Sequence, residues 1–388
     1  KIINNKDIKN KYGEYNLSSN GEIVSRFDFV KIYYEKLNDI KKNTPEILPI
    51  STSFLNNKAI RPHYSVLDFS KFEKNFDIKI PDWQITLVEK IKISIWFSND
   101  ILYKKNMKGI VLAGGYGTRL FPLTSSVSKQ LLPVFDKPLI YYSITTLMSA
   151  NINEILIITT EEFILNFKKL LGNGSNFGIK ISYAIQKKPY GIAHAFIIAE
   201  KFINKKPIAL ILGDNIFYGI GKIDFFNYNF SGAKIFLYDV PDPQNYGVVN
   251  IKNNKIISIE EKPKKPKSSK VITGLYLYDK DVVSIAKKLK PSKRNELEIT
   301  DINKNYLKIN KLQYTNLSEG SVWLDAGTTT SLLQASQYVQ TVQERQKLQV
   351  GCPEEIAYKN KWLSKNKLKK IIKKMPVNSY SNYLKKIL

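Results

Sequence analysis

MKGIVLAGGYGTRLFPLTSSVSKQLLPV, residues 107–134, decides how the rest of the chain is read. KGIVLA (108–113) is a short, almost wholly apolar run closed by glycine, the pattern of a strand buried on both faces of a parallel sheet. GGYGTR (114–119) follows at once. Glycines there allow a tight turn and bring bare backbone N–H groups against phosphate oxygens, while Arg119 adds a fork of donors. The spacing is neither that of a P-loop nor the G-x-G-x-x-G of dinucleotide folds. Gly114 and Gly115 therefore read equally as a phosphate cradle and as a plain turn out of a strand. Lys129 is either a second cation for the same anion or an ordinary surface lysine.

Outward from this stretch, strand-like and helical periods alternate. PLIYYSITTLMSANI (138–152), EEFILNFKKLL (161–171) and GIAHAFIIAEKFI (191–203) read as helices, and EILIITT (154–160), KISYAI (180–185) and PIALILGDN (207–215) as strands. That order predicts an α/β fold, a right-handed doubly wound and mostly parallel sheet whose binding crevice lies at the C-terminal ends of the strands. Beyond about residue 230, AKIFLYDV, YGVVNI, KIISIEEKP and VITGLYLYD suggest a second, β-rich portion closing over the crevice. The tail from residue 331 is helical by period. Residues 1–106 have a different texture, with a helix expected over 26–40, a strand over 46–51, a turn and helix over 61–76, and a connector at 92–106.

Composition removes several classes of function. One cysteine, Cys352, cannot form an intrachain disulfide, and two histidines, His63 and His194, leave no material for a Cys/His zinc site. A metal here has to be held by carboxylates. There is no signal-peptide apolar segment and no run long enough to cross a bilayer, which gives an expectation of a cytoplasmic protein without membrane contact. The formal charge of +26 invites a nucleic-acid reading. The lysines, however, are spread over the whole chain, and the densest runs, KPKKPKSSK (262–270) and KLKKIIKK (367–374), lack the aromatic spacing of an RNA-binding module. The expectation is no nucleic-acid partner.

Further motifs carry chemistry. LGDN (212–215) ends an apolar strand on Asp214, a position suited to Mg²⁺, with Asn215 beside it as a substrate contact; Asp-Asn is equally good turn chemistry. Asp325 in WLDAGT has the same setting, so the two acids could share one metal or both be turns. In EEKP, Glu261 can accept from sugar hydroxyls and Lys262 can donate to a phosphate, or the motif is a charged hairpin end. Gln186 offers an amide to the edge of a base, and Gly191 opens a helix with free N–H groups. Tyr246, Gly247 and Tyr276 are candidate sugar contacts or packing residues.

In this order, LAGGxGTRL, SKQLLPV, QxxPxG, LGDN, DPxxYGVV, EEKP, TGLY, ELEITD and WLDxGT make residues 107–388 resemble the glucose-1-phosphate thymidylyltransferases. The resemblance implies a Rossmann-like nucleotidyltransferase domain that joins glucose 1-phosphate to dTTP with Mg²⁺. It implies Gly114, Gly115, Arg119 and Lys129 on the triphosphate, Gln186 and Gly191 on thymine, and Asp214 and Asp325 on the metal. Tyr246, Gly247, Glu261, Lys262 and Tyr276 would seat the sugar phosphate. It also implies a homotetramer inhibited by dTDP-rhamnose. The chain departs from the family pattern at Tyr116, Tyr190, His194, Asn295 and Ala326, none of which removes a charged catalytic group. Two rivals stay open, a sister enzyme using UTP and a nucleotide-sugar-binding protein without turnover.

Upstream, YGEYNLSSNGE, RFDFVKIYYEKL and RPHYSVLDFSKFEKNF with PDW (81–83) resemble the C-terminal end of dTDP-4-dehydrorhamnose reductase. The expectation is a reductase remnant at 1–91 and a connector at 92–106. The cofactor loop and Tyr/Lys pair of hydride transfer are missing from residues 1–106, and the nucleotidyltransferase core is expected to be self-sufficient from Met107.

Overall fold

The computed structural model describes residues 107–219 and 231–388, together with Lys31, Ile32 and Asp82. Lys31 and Ile32 are helical, inside the helix expected over 26–40. The other elements expected upstream of Met107, and the connector, lie outside the described residues.

The quoted stretch forms β1 (Lys108–Ala113), and the next two strands, β2 (Pro133–Val134) and β3 (Lys137–Pro138), make a small hairpin. The alternation then runs α1 (Ile140–Ser149), β4 (Glu154–Thr159), α2 (Ile164–Leu171), β5 (Lys180–Ile185), α3 (His194–Ile198), α4 (Glu200–Ile203) and β6 (Ile208–Leu212). Each helix is shorter than its period suggested. Asn151 at φ 59° and Gly172 at φ 56° turn the backbone left-handed after the first two. The third breaks at Ala199, with φ −84° and ψ 3°, into two short pieces.

β7 (Asn215–Tyr218), β8 (Ala233–Asp239), β9 (Gly247–Lys252), β10 (Lys255–Glu261) and β11 (Lys270–Tyr278) follow. This β-rich portion is not a sheet of its own. β11 pairs antiparallel with β6, so the later strands extend the first sheet into one of nine strands with the path β10-β9-β11-β6-β1-β4-β5. One side of the sheet, β6-β1-β4-β5, is parallel throughout, as expected of a doubly wound core. β8 pairs with β11 and with β12 (Leu312–Asn316). Two helices unread in the sequence, α5 (Val282–Lys288) and α6 (Ile299–Lys308), precede β12. β13 (Val322–Asp325) pairs with β7 in a separate ribbon. The tail is α7 (Thr329–Gln346), α8 (Pro353–Lys359), α9 (Lys365–Lys373) and α10 (Ser379–Lys386), with α7 opened by a reciprocal Thr328–Ser331 cap.

Neighbouring residues of a strand point to opposite faces, and here both faces are covered. Val111, Ile157 and Ile211 pack with Ile144, Leu147 and Phe167 on one side; Ile110, Ile158 and Leu210 pack with Phe196, Val282 and Ile302 on the other. This explains why KGIVLA carries no polar alternation. It also leaves the strand ends as the place where polar side chains can gather.

Candidate active site

Three turns at the ends of β1, β6 and β13 meet. After β1 the chain passes Gly114 and the exposed Gly115 to Gly117, whose φ of 64° lies in the left-handed region and where a Cβ would stand 2.8 Å from Thr124. A glycine is required there, and the turn leads to a short 3-10 segment carrying exposed Arg119. A second 3-10 segment begins at Lys129, which is buried beside the turn.

The Lys129 ammonium is paired with Asp214 at the end of β6. That turn is pinned twice. Gly213 N–H donates to the Leu112 carbonyl at 2.9 Å, and Ser143 on α1 donates to the Leu212 and Asn215 carbonyls at 3.1 Å each. Burial alone would raise the Asp214 carboxyl, but the Lys129 ammonium and the Asn215 amide, 2.8 Å away, hold it below the ordinary carboxylate range.

Pairing of β13 with β7 sets Asp325 opposite Asn215, and the Ala326 N–H donates to the Asp214 carbonyl at 3.1 Å. The two acids seen far apart in the sequence are therefore neighbours. Burial, and then the Asp214 charge, push the Asp325 carboxyl up to about 6. Asn215 is buried and fully engaged: its Oδ1 accepts from Trp323 Nε1 at 2.6 Å and from Gly274 N–H at 3.0 Å. No Cβ could replace the Gly274 hydrogen, since it would lie 2.3 Å from that oxygen.

A cavity of about 630 Å³ opens from these acids toward β9–β11. The β9–β10 ladder pairs Gly247 with Glu261, and the Lys262 N–H donates to the Tyr246 carbonyl at 3.0 Å, so all four residues reach one edge. Tyr246 packs edge-on against Trp323 at 5.4 Å, and Tyr276 lines the cavity from the buried strand β11. Glu261 accepts from Thr300 on α6. A smaller cavity of about 210 Å³ shares Asp214 and is walled by Gly114, Gly115, Gln186 and Gly191. All the residues singled out in the sequence line one or other cavity or, like Lys129, pair with a residue that does.

Arg294 was missed. It faces the larger cavity, with its guanidinium 2.8 Å from Glu298, 3.4 Å from Glu261 and 3.7 Å from Glu296. The signal in the sequence was an arginine just ahead of two alternate acids, Glu296 and Glu298, in a chain whose cations are mostly lysine.

The donor set suits a hard divalent cation. Among the described residues no group of three or more His, Cys, Asp or Glu is arranged to hold a metal ion. Asp214 and Asp325 would thus supply carboxylate oxygens and leave the remaining positions to substrate phosphates and water, the mode preferred by Mg²⁺. No helix among the described residues is long and apolar enough to cross a membrane.

Residues 108–342 match the nucleotidyl transferase family, and residues 1–95 match the RmlD substrate binding domain. The chain is 51% identical over 286 residues to a glucose-1-phosphate thymidylyltransferase of Neisseria meningitidis serogroup A, covering 73% of this chain and 99% of that one. It is 47% identical over 286 residues to the enzyme of the same name from Mycobacterium tuberculosis, with the same coverage of 73% and 99%. Among solved structures, a glucose-1-phosphate thymidylyltransferase from Bacillus anthracis in complex with sucrose is similar with 48% identity and a TM-score of 0.56, over 60% of this chain and 94% of that chain. A UDP-glucose pyrophosphorylase complexed with UDP-glucose is similar with 25% identity and a TM-score of 0.53, over 61% and 99%.

Proposed function

The chain belongs to the nucleotidyl transferase family, and on that premise we propose that it joins dTTP to glucose 1-phosphate, yielding dTDP-glucose and pyrophosphate. The observation that carries this reading is the meeting of a glycine turn, the Lys129–Asp214 pair and Asp325 at two adjoining cavities. One cavity has the size and polar lining for a sugar phosphate, and the other offers Gln186 to a base.

The family uses a divalent metal ion; we assign Mg²⁺, held by Asp214 and Asp325. Bound there, it would neutralise phosphate charge and raise the electrophilicity of the α-phosphorus. The remaining work falls to side chains of this chain. Arg119 and Lys129 bind the triphosphate, and the Gly114–Gly115 backbone lets it approach closely. Glu261 accepts from the sugar hydroxyls, with the Gly247 backbone and Tyr246 against the ring. Lys262 and Arg294 hold the sugar phosphate. An oxygen of that phosphate attacks the α-phosphorus, a new P–O bond forms, the bond to the β-phosphate oxygen breaks, and pyrophosphate leaves with the electron pair. Since both substrates enter as anions, no general base is required, and positioning with charge neutralisation supplies the rate.

Residues 1–91 are, in this reading, related to the C-terminal part of a dTDP-4-dehydrorhamnose reductase, supported by the match at residues 1–95. A cytoplasmic homotetramer and feedback by dTDP-rhamnose belong to the same reading.

The test is pyrophosphate release from glucose 1-phosphate with dTTP, UTP, CTP, ATP or GTP. Turnover highest with dTTP is expected. A higher kcat/KM with UTP would move the chain to the UDP-glucose branch, and no release with any nucleotide would leave a binding protein.

A further inference from the structure

Gln186 is buried at the wall of the smaller cavity, and the orientation of its amide is fixed by what surrounds it. Its Nε2 lies 3.4 Å from the Gly191 carbonyl oxygen and 3.3 Å from His194 Nδ1. A carbonyl can only accept, so the atom facing it must be the amide nitrogen. His194 Nδ1 meets that same donor and must be bare, which places the imidazole proton on Nε2. Gln186 Oε1 is thereby turned to the opposite side, against Gly114, where a Cβ would stand 2.6 Å from it.

The histidine is itself held. Its ring packs edge-on to Tyr190 at 5.3 Å and 80°. The segment between them is stitched to Leu297, whose N–H donates to the Tyr190 carbonyl at 2.7 Å and whose carbonyl accepts from Ala193 at 3.1 Å. Gly191, at φ 95°, sits so close to this residue that a Cβ would stand 2.4 Å from the Leu297 oxygen. The start of α3, and His194 with it, cannot slide.

We propose that His194 is a positioning residue for base selection, pinning the Gln186 amide so that its oxygen faces the nucleotide base and takes a ring N–H. Thymine and uracil carry that N–H at N3; cytosine presents a bare nitrogen there. Without the acceptor on His194, the 3.4 Å contact to the Gly191 carbonyl alone holds the amide, and an amide that turns over offers its NH₂ group instead, which suits cytosine. This inference rests on the reading of Gln186 as the base contact in the proposed transfer reaction.

The test is steady-state kinetics of the full chain with dTTP and dCTP as competing nucleotides. His194→Phe keeps a ring against Tyr190 and removes the acceptor; His194→Asn places an oxygen near the position of Nδ1. For His194→Phe, KM for dTTP should rise about tenfold, kcat should change by less than about threefold, and the preference for dTTP over dCTP should fall about tenfold, the scale of one hydrogen bond to a buried amide. His194→Asn should restore both KM and preference. An unchanged preference in His194→Phe overturns the proposal, as does an equal loss of kcat with every nucleotide or a failure of His194→Asn to restore. If His194→Phe is insoluble, His194→Leu gives the same comparison. Should the wild-type chain release no pyrophosphate with any nucleotide, the reaction assignment has failed; wild-type activity with indifferent His194 variants defeats this inference alone.

Discussion

Two buried lysines, eight positions apart in the chain, have opposite uses. Lys129 pairs with Asp214 at the cavity, and among the described residues that carboxylate is its one hydrogen-bond partner. Lys137, on the β2–β3 hairpin, donates to Asp136 at 2.6 Å, to Gln349 at 2.7 Å and to Gln343 at 3.1 Å. An ammonium has three donors. Lys137 is saturated and ties the hairpin to α7 and the turn that follows it, whereas Lys129 keeps donors available for a phosphate. Burial lowers the Lys137 pKa against the pull of Asp136, in keeping with a sealed site. Charge and burial alone do not separate the lysine proposed for phosphate binding from the structural one; the count of donors left over is what differs.

The sharpest way to break this comparison is at the acids. Asp214→Asn and Asp325→Asn should each reduce kcat on the order of 10³-fold, because an amide supplies an oxygen without the charge that phosphate neutralisation needs. Thermal melting should still show a cooperative transition. Near wild-type rates in both would remove the two-carboxylate site.

Exchanging the lysines sharpens the contrast. Lys129→Met should lose about 10²-fold in turnover with the fold retained, by analogy with removing one preorganised charge donor. Lys137→Met should do the reverse, keeping kcat per folded molecule while losing roughly 2–3 kcal/mol, since Asp136 and two glutamine oxygens lose their shared donor. Denaturant unfolding and pyrophosphate assays on both variants decide it. Equal effects on stability and rate would erase the distinction.

Proton linkage gives a smaller effect. With its folded pKa near 6, above the unfolded value, Asp325 binds more protons in the native state between about pH 4 and 6. The cost of ionising it is absent below that window and complete above it. In chelator, Asp325→Asn should therefore gain stability relative to the wild type as pH rises through about 6, and added Mg²⁺ should cancel the gain. Melting temperatures measured from pH 5 to 7.5 test this, and a flat difference would show that Asp325 is not strained by burial and Asp214.

The smallest effect is expected from removing the other end of the molecule. A chain beginning at Met107 should keep kcat/KM within about twofold, because every element that brings the candidate site residues together lies downstream of it. Loss of activity would make the upstream segment part of the enzyme.

The parallel core from 108 to 212 was legible because both sheet faces are buried and the strands read as unbroken apolar runs. The joining of β11 to β6 was not, since antiparallel strands with short turns look alike whether they build a new sheet or extend an old one. Of the site, the glycine turn, Lys129, Asp214 and Asp325 stand out as residue types in telling positions. Their convergence depends on the β7–β13 register, which no local pattern encodes. Arg294 escaped notice because its meaning comes from Glu261, more than thirty positions away.

The β7–β13 ribbon also has a consequence for how the protein is made. Asp214 is synthesised long before Asp325 and Trp323, yet its neighbour Asn215 has its oxygen capped by Trp323, and the carboxylate pair needs Asp325. A product released early by the ribosome, even one holding the whole parallel core, lacks the second acid and leaves that amide oxygen without its indole donor. On the roles proposed for the two acids, termination before Asp325 yields chains without the carboxylate pair, so turnover waits on the completed ribbon.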